Sequence, residues 1–304
     1  MKKVIAVFVV MATVTGAVFA QNRFALVIGN AAYTHIDSLS NTVNDARDIA
    51  ASLGKLGFSV DLKLDVTEKE FGDAVDNYVA KLAANLDNEG FFWYAGHGIQ
   101  VQDQNYLLPV DVAIDTERTL RRSAYSLNDL LDEFSRANNK VNVVVLDACR
   151  NNPLPAAARG SGTRGLAVIR DVPGDIFVMF STAPGDVAED GKGARNSPFA
   201  TAFLKNIAST EPVVMVAVDV TNETLTLTGQ KQRPFIRGSI ISDKYYSLNP
   251  TAGRVIVTPN RDENMKDGEV VVPAKRTAPV TNEDDFDTIR KKADALWADL
   301  EKNL

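Results

Sequence analysis

Cysteine is nearly absent from this chain: Cys149 is the only one in 304 residues. No internal disulfide can form, so an exported form of the chain must bury its thiol or use it. Histidine is almost as scarce, with only His35 and His97. His35 lies in the loop-like stretch Tyr33-Thr34-His35-Ile36-Asp37, with no cysteine and no second histidine nearby, so no zinc site is expected there. Internal repeats are not evident, and no basic footprint for nucleic acid appears. The formal charge is −6, from 33 basic and 39 acidic residues. Such a balance favours solubility without indicating a fold or a reaction.

The apolar run between Lys3 and Gln21 is shorter than the roughly 20 residues needed to span a bilayer. With Met1-Lys2-Lys3 before it and the small-residue boundary Val18-Phe19-Ala20 at its end, it reads as a secretory signal peptide over 1–20. The expected product is exported, periplasmic or secreted, with no stable membrane anchor. Removing the leader takes two lysines and leaves 31 basic against 39 acidic residues. The oligomeric state is not legible.

Cys149 ends the nearly pure apolar run Val141-Asn142-Val143-Val144-Val145-Leu146-Asp147-Ala148-Cys149. A second apolar run, Gly90-Phe91-Phe92-Trp93-Tyr94-Ala95-Gly96-His97-Gly98, ends at a histidine. In a parallel sheet, reacting groups gather beyond the carboxyl ends of the strands, so a thiol and an imidazole at two strand exits can meet. The plainer alternatives are a cysteine that closes a core strand and a histidine that is only a satisfied polar group.

Short apolar runs alternate with helical periodicity from Arg23 onward, which predicts an α/β fold with a mostly parallel sheet flanked by helices. Strands are expected over 24–29, 58–62, 90–98, 141–147 and 175–181, with a short extended piece over 105–109 and a last strand at 234–236. Helices are expected over 41–57, 68–86, 126–137, 197–207 and 213–227. The stretch 152–174 is longer than most connections in a compact domain. Beyond Asn249 the texture turns proline-rich and charged, so 249–304 reads as a linker with weak strands and a helical extension over 284–304. The domain proper is expected over 23–248.

Tyr94-Ala95-Gly96-His97-Gly98 and Asp147-Ala148-Cys149-Arg150 resemble the signatures of the caspase-like cysteine peptidases, and of their bacterial metacaspase-type members most closely. Ala25-Leu26-Val27-Ile28-Gly29-Asn30, Val43-Asn44-Asp45-Ala46, Tyr106-Leu107-Leu108-Pro109 and Asn196-Ser197-Pro198-Phe199 belong to the same likeness. A histidine roughly 50 residues before the nucleophile is the caspase spacing. The likeness departs where aspartate and Asn151 stand in place of the glutamine and glycine that flank the alanine-cysteine-arginine core in true caspases.

The resemblance implies an endopeptidase with Cys149 as nucleophile and His97 as acid and base, which the leader would export. The backbone amides of Gly98 and Cys149 would form the oxyanion hole. It also implies that Asp45 and Asp147 line a primary pocket for arginine or lysine, with Ser181 bordering the substrate channel. A buried carboxylate offers a guanidinium charge-assisted, bidentate hydrogen bonds. Without the resemblance, Asp45 reads as a cap or decoration of an exposed helix, while Asp147 stays open between a pocket carboxylate and a tie for the strand-exit loop. Gly96 and Gly98 are expected to supply unusual backbone angles or room for a substrate chain. No third catalytic residue is evident.

No resident metal or other cofactor is expected, although calcium, which some metacaspases require, is a candidate at the acidic stretch Asp186-Val187-Ala188-Glu189-Asp190-Gly191. That stretch lacks the EF-hand spacing, and such runs are commonly just solvated. The basic stretch 159–165 suggests self-cleavage by an arginine-preferring enzyme. The partner is a polypeptide with a basic residue before the cut bond. A different class of function is a catalytically silent caspase-like module that binds basic peptides. A flavodoxin-like domain is disfavoured because no glycine-rich phosphate loop opens a helix.

Overall fold

The computed structural model describes residues 22–101, 104–113, 115–149, 172–183, 188–191, 193–238, 240, 246–249 and 251, with the backbone alone at Cys149. The leader, the basic stretch 159–165 and the extension beyond 251 lie outside the described residues. The elements run β1 (Arg23–Gly29), α1 (Thr42–Lys55), β2 (Ser59–Leu64), α2 (Glu68–Ala83), β3 (Glu89–Val101), β4 (Gln104–Leu107), α3 (Glu117–Ser123), β5 (Tyr125–Ser126), α4 (Leu127–Arg136), β6 (Val141–Cys149), β7 (Ile176–Phe180), α5 (Pro198–Asn206), α6 (Val213–Leu227) and β8 (Phe235–Gly238). No described helix is long and apolar enough to cross a membrane.

The strands form a sheet in the order β2-β1-β3-β6-β7-β8. All neighbours are parallel except β7 and β8. The central strands are buried on both faces, which is why they read as continuous apolar runs rather than alternating ones. One face carries Val27, Phe91, Trp93, Val143, Val145 and Met179 against α1, α5 and α6. On the other face α2 and α4 bring Tyr78 and Phe134 together, with ring centroids 5.3 Å apart, and Phe134 also packs on Phe92. The strand order turns back between β1 and β3, and the crevice at such a switch point is where doubly covered sheets place their ligands.

Local chemistry sets the element ends. Thr67 caps α2 through a full capping box with Glu70, and Ser197 caps α5 ahead of Pro198, which suits the first helical turn. Asn41 occupies the cap position of α1 but its side chain makes no capping bond. Its amide instead donates to the carbonyls of Asp190 and Gly191, which pins that segment to the sheet's carboxyl edge. At the end of β1, a Cβ on Gly29 would lie 2.5 Å from Ala46 Cβ and 2.7 Å from Thr42 O, so only glycine lets α1 pack this closely.

Three elements, β3, α3 and β5, depart from the sequence reading. The strand expected to end at Gly98 continues to Val101, because beyond His97 it leaves the main sheet and pairs antiparallel with β4 in a small second sheet that includes β5. The short α3 was not anticipated. It has seven residues, buries only Leu120 and carries three arginines, so it shows no apolar periodicity.

Candidate active site

In the main sheet β3 and β6 run side by side, and their last paired positions are Ala95↔Asp147, Gly96↔Ala148 and His97↔Cys149. Adjacent strands lie about 4.8 Å apart, so the backbones of the histidine and the cysteine are immediate neighbours. His97 is thus not a strand exit in the simple sense. It is the residue at which β3 passes from one sheet to the other, with Gly98 already paired to Leu107.

A network of tyrosines holds that crossing point. Tyr33 Oη accepts the backbone N–H of His97 at 2.8 Å, and the Tyr33 ring lies 4.6 Å from the imidazole. Tyr94 Oη donates toward His97 O at 2.7 Å and Leu108 O at 2.9 Å, while accepting Leu108 N–H at 3.1 Å. The two hydroxyls are 3.3 Å apart. Gly96 sits among them: a Cβ there would meet Tyr94 Oη at 2.5 Å and Tyr33 Oη at 2.6 Å. Neither Gly96 nor Gly98 has a positive φ. The glycine at 96 is required by crowding from tyrosine hydroxyls, which corrects the expectation of unusual backbone angles.

The imidazole is buried and oriented. His97 Nε2 lies 2.8 Å from the backbone carbonyl of Asp37. A carbonyl can only accept, so Nε2 carries the hydrogen and the neutral ring leaves its lone pair on Nδ1. That Nδ1 is buried and has no partner among the described residues. Burial holds the His97 pKa below the ordinary histidine value, with the Asp37 carbonyl opposing the shift, and the ring is therefore a neutral base. The orienting group is a backbone carbonyl, for which side-chain motifs carry no signal.

Beside this pair lies an acidic cluster. Asp45 is in the first turn of α1, yet it is only 1% exposed. One carboxylate oxygen accepts from Asn196 Nδ2 at 2.9 Å and from the Ser197 amide at 3.1 Å; the other is buried without a partner among the described residues. Asp147 is also buried and accepts from Ser197 Oγ at 2.6 Å. Ser181, at the exit of β7, has its amide on Leu146 O at 2.9 Å and its carbonyl held by Gln232 Nε2 at 2.9 Å. Ser181 also favours the charged form of Asp147, although its hydroxyl makes no hydrogen bond of full geometry. The described end of the acidic stretch, Asp190, is near enough to raise the carboxyl groups of both Asp45 and Asp147.

The caspase domain family matches residues 22–246 of this sequence. The chain belongs to that family. Among curated relatives, this caspase domain is 28% identical over 244 residues to the mucosa-associated lymphoid tissue lymphoma translocation protein 1 homolog of Mus musculus, a match covering 79% of this chain and 28% of that protein. The corresponding Homo sapiens protein is 28% identical over 239 residues, covering 77% and 28%. The chain thus spans little more than a quarter of the length of these relatives. Among solved structures, caspase-1 from Spodoptera frugiperda superposes with a TM-score of 0.55 at 19% identity, covering 72% of this chain and 87% of that one. That likeness establishes the shared fold, a mostly parallel sheet flanked by helices.

Family membership makes cysteine peptidase chemistry the frame for the site. Within the caspase domain, burial raises the Asp45 carboxyl to about 8, with the Asp147 charge adding to the rise. Burial likewise raises Asp147 to about 6, opposed by the Ser197 hydroxyl. Among the described residues no lysine or arginine hydrogen-bonds to either carboxylate, and Arg195 nearby is engaged by Asp48 at 2.8 Å. Asp45 is therefore no helix decoration. Burial of both carboxyl groups disfavours their charged forms. The sequence reading named Asp45, Asp147 and Ser181 and quoted Asn196-Ser197 as part of the family likeness. It missed that Ser197 ties the two carboxylates together, with Asn196 donating to Asp45 and Asp48, and it gave no role to Tyr33, Tyr94 or Gln232.

Proposed function

We propose that this protein is an exported cysteine endopeptidase of metacaspase type that cleaves peptide bonds after arginine or lysine, using Cys149 and His97. The observation that supports this most strongly is the conjunction at one sheet edge of the His97↔Cys149 register with two buried carboxylates, Asp147 two residues earlier on β6 and Asp45 on α1.

In the proposed mechanism, His97 Nδ1 takes the thiol proton and the Cys149 thiolate attacks the scissile carbonyl. As the imidazolium forms, its Nε2–H bond to the Asp37 carbonyl strengthens and keeps the ring in place. The tetrahedral oxyanion is met by the backbone amides of Gly98 and Cys149. Collapse expels the amine, which takes the proton from Nδ1, and leaves a thioester. Water activated by the same nitrogen then hydrolyses the thioester and regenerates the thiol. The substrate's basic side chain enters the Asp45–Asp147 pocket, where it pairs with the buried carboxylates, with Ser181 at the pocket's border. Calcium enters the proposal as a candidate activator near 186–190, and export rests on the 1–20 leader.

The test is hydrolysis of matched peptides bearing arginine, lysine, aspartate or alanine before the cleaved bond, with and without calcium. We expect activity for arginine and lysine only, abolished in Cys149→Ala. Asp147→Ala should lose arginine cleavage while keeping its fold by circular dichroism. Undiminished arginine preference in Asp147→Ala would remove the pocket assignment. Silence of the wild type under every condition, including after limited proteolysis, would favour a peptide-binding module instead.

A further inference from the structure

The loop that orients His97 is itself held by a carboxylate just beyond the end of β2. Asp65, the residue after β2, accepts the backbone N–H groups of both Ala31 and Ala32 through one oxygen, at 2.7 and 2.8 Å. Its own amide donates to Gly29 O at 2.9 Å. To do this Asp65 adopts φ 52, a left-handed backbone that non-glycine residues enter at a cost and that tends to persist where surrounding contacts require it.

We infer that Asp65 is a positioning residue for His97, acting through the 31–37 loop. The inference rests on the reading of His97 as the proton carrier. Every contact from that loop to the histidine originates within four residues of one another: the Tyr33 hydroxyl on the backbone N–H, the Tyr33 ring against the imidazole and the Asp37 carbonyl on Nε2. The loop closes on Ala31, whose carbonyl accepts Tyr33 N–H at 3.0 Å and Leu39 N–H at 3.1 Å. Ala31 is therefore the hinge peptide. Its carbonyl gathers the loop, and its amide, with that of Ala32, is drawn to the Asp65 carboxylate.

Thr34 adds neutral bonds to Val110 O, at 2.9 Å from its amide and 3.2 Å from its hydroxyl. These bonds hold the middle of the loop, whereas Asp65 alone among the charged groups described here fixes its origin. Charge-assisted bonds to two successive amides are stronger and more directional than neutral ones. Ala32 is exposed and Ala31 partly so, so water can replace the carboxylate as acceptor without leaving a buried donor unpaired. Removing Asp65 should then loosen the loop's position rather than unfold the domain. A small misplacement of a catalytic base is enough to cost about 10- to 100-fold in rate.

Two variants of the full chain separate the contact from the backbone conformation. Asp65→Gly keeps the left-handed backbone and removes the acceptor, while Asp65→Asn keeps both an acceptor oxygen and tolerance of that backbone. The primary readout is the ring N–H resonance of His97 in histidine-labelled protein. With only two histidines, His35→Gln assigns it. We expect a proton protected from solvent exchange in wild type and Asp65→Asn, and exchange faster by about tenfold or more in Asp65→Gly. On an arginyl peptide, kcat of Asp65→Gly should fall about 10- to 100-fold with KM within about twofold, and Asp65→Asn should recover most of the loss. An unprotected ring proton in wild type, or an unchanged exchange rate and kcat in Asp65→Gly, would overturn the inference. If the ring proton responds as expected but no variant hydrolyses any peptide, the positioning role stands and the peptidase reading fails.

Discussion

At the scale of single residues, the carboxyl groups of Asp45 and Asp147 take up protons more readily in the folded chain than their ordinary value near 3.8 allows, because both are buried and they repel one another. The sign of the stability effect follows. A group whose folded pKa is raised contributes stability that is complete below its unfolded value and is lost as pH rises through the folded one. For this pair the loss runs upward from about pH 4, through about 6 for Asp147 and about 8 for Asp45. Asp45→Asn removes one ionisation, so its unfolding midpoint relative to wild type should improve steadily between pH 5 and pH 9. Thermal melts across that range check this, and a constant difference would show that burial does not raise the Asp45 carboxyl as described. The same variant should raise KM for arginyl peptides about 10- to 100-fold, the worth of one charge-assisted hydrogen bond.

At the scale of elements, the amino end of α5 joins packing to chemistry. Ser197 Oγ accepts Ala200 N–H at 2.9 Å as the helix cap and donates to Asp147 at 2.6 Å, while the Ser197 amide donates to Asp45. Ser197→Ala removes the cap and leaves Asp147 without its hydroxyl donor. A loss of about 1–3 kcal/mol is expected from chemical denaturation, with Ser197→Thr recovering much of it; an unchanged midpoint in Ser197→Ala would contradict the dual role. The strands that position this site were legible because doubly covered strands write themselves as unbroken apolar runs, as in Phe91-Phe92-Trp93-Tyr94 and Val143-Val144-Val145-Leu146. Three features were not. The continuation of β3 into the second sheet follows a glycine that reads as a stop, α3 shows no apolar periodicity, and two-residue β5 is too short to leave any period.

At the scale of the whole molecule, α1, β6, β7 and α5 contribute to one carboxyl edge residues separated by up to 152 positions. No local pattern in the sequence brings Asp45 to Asp147. That meeting depends on the close approach of α1 at Gly29 and on the capping of α5 by Ser197. Motif likeness identified the candidates, whereas the joint burial of the two carboxylates, the tautomer set by the Asp37 carbonyl and the tyrosine scaffold under His97 are properties of the folded chain alone. The single thiol turns the central claim into a mass measurement. The chain is incubated with a peptidyl electrophile ending in arginine, or with its aspartate counterpart, and intact mass is recorded for wild type, Cys149→Ala and His97→Ala. The account predicts one stoichiometric adduct on wild type from the arginyl reagent alone, none on Cys149→Ala, and a rate on His97→Ala lower by about 100-fold or more, the worth of a positioned acid–base group. Equal labelling by the two reagents, or labelling of His97→Ala at the wild-type rate, would contradict it.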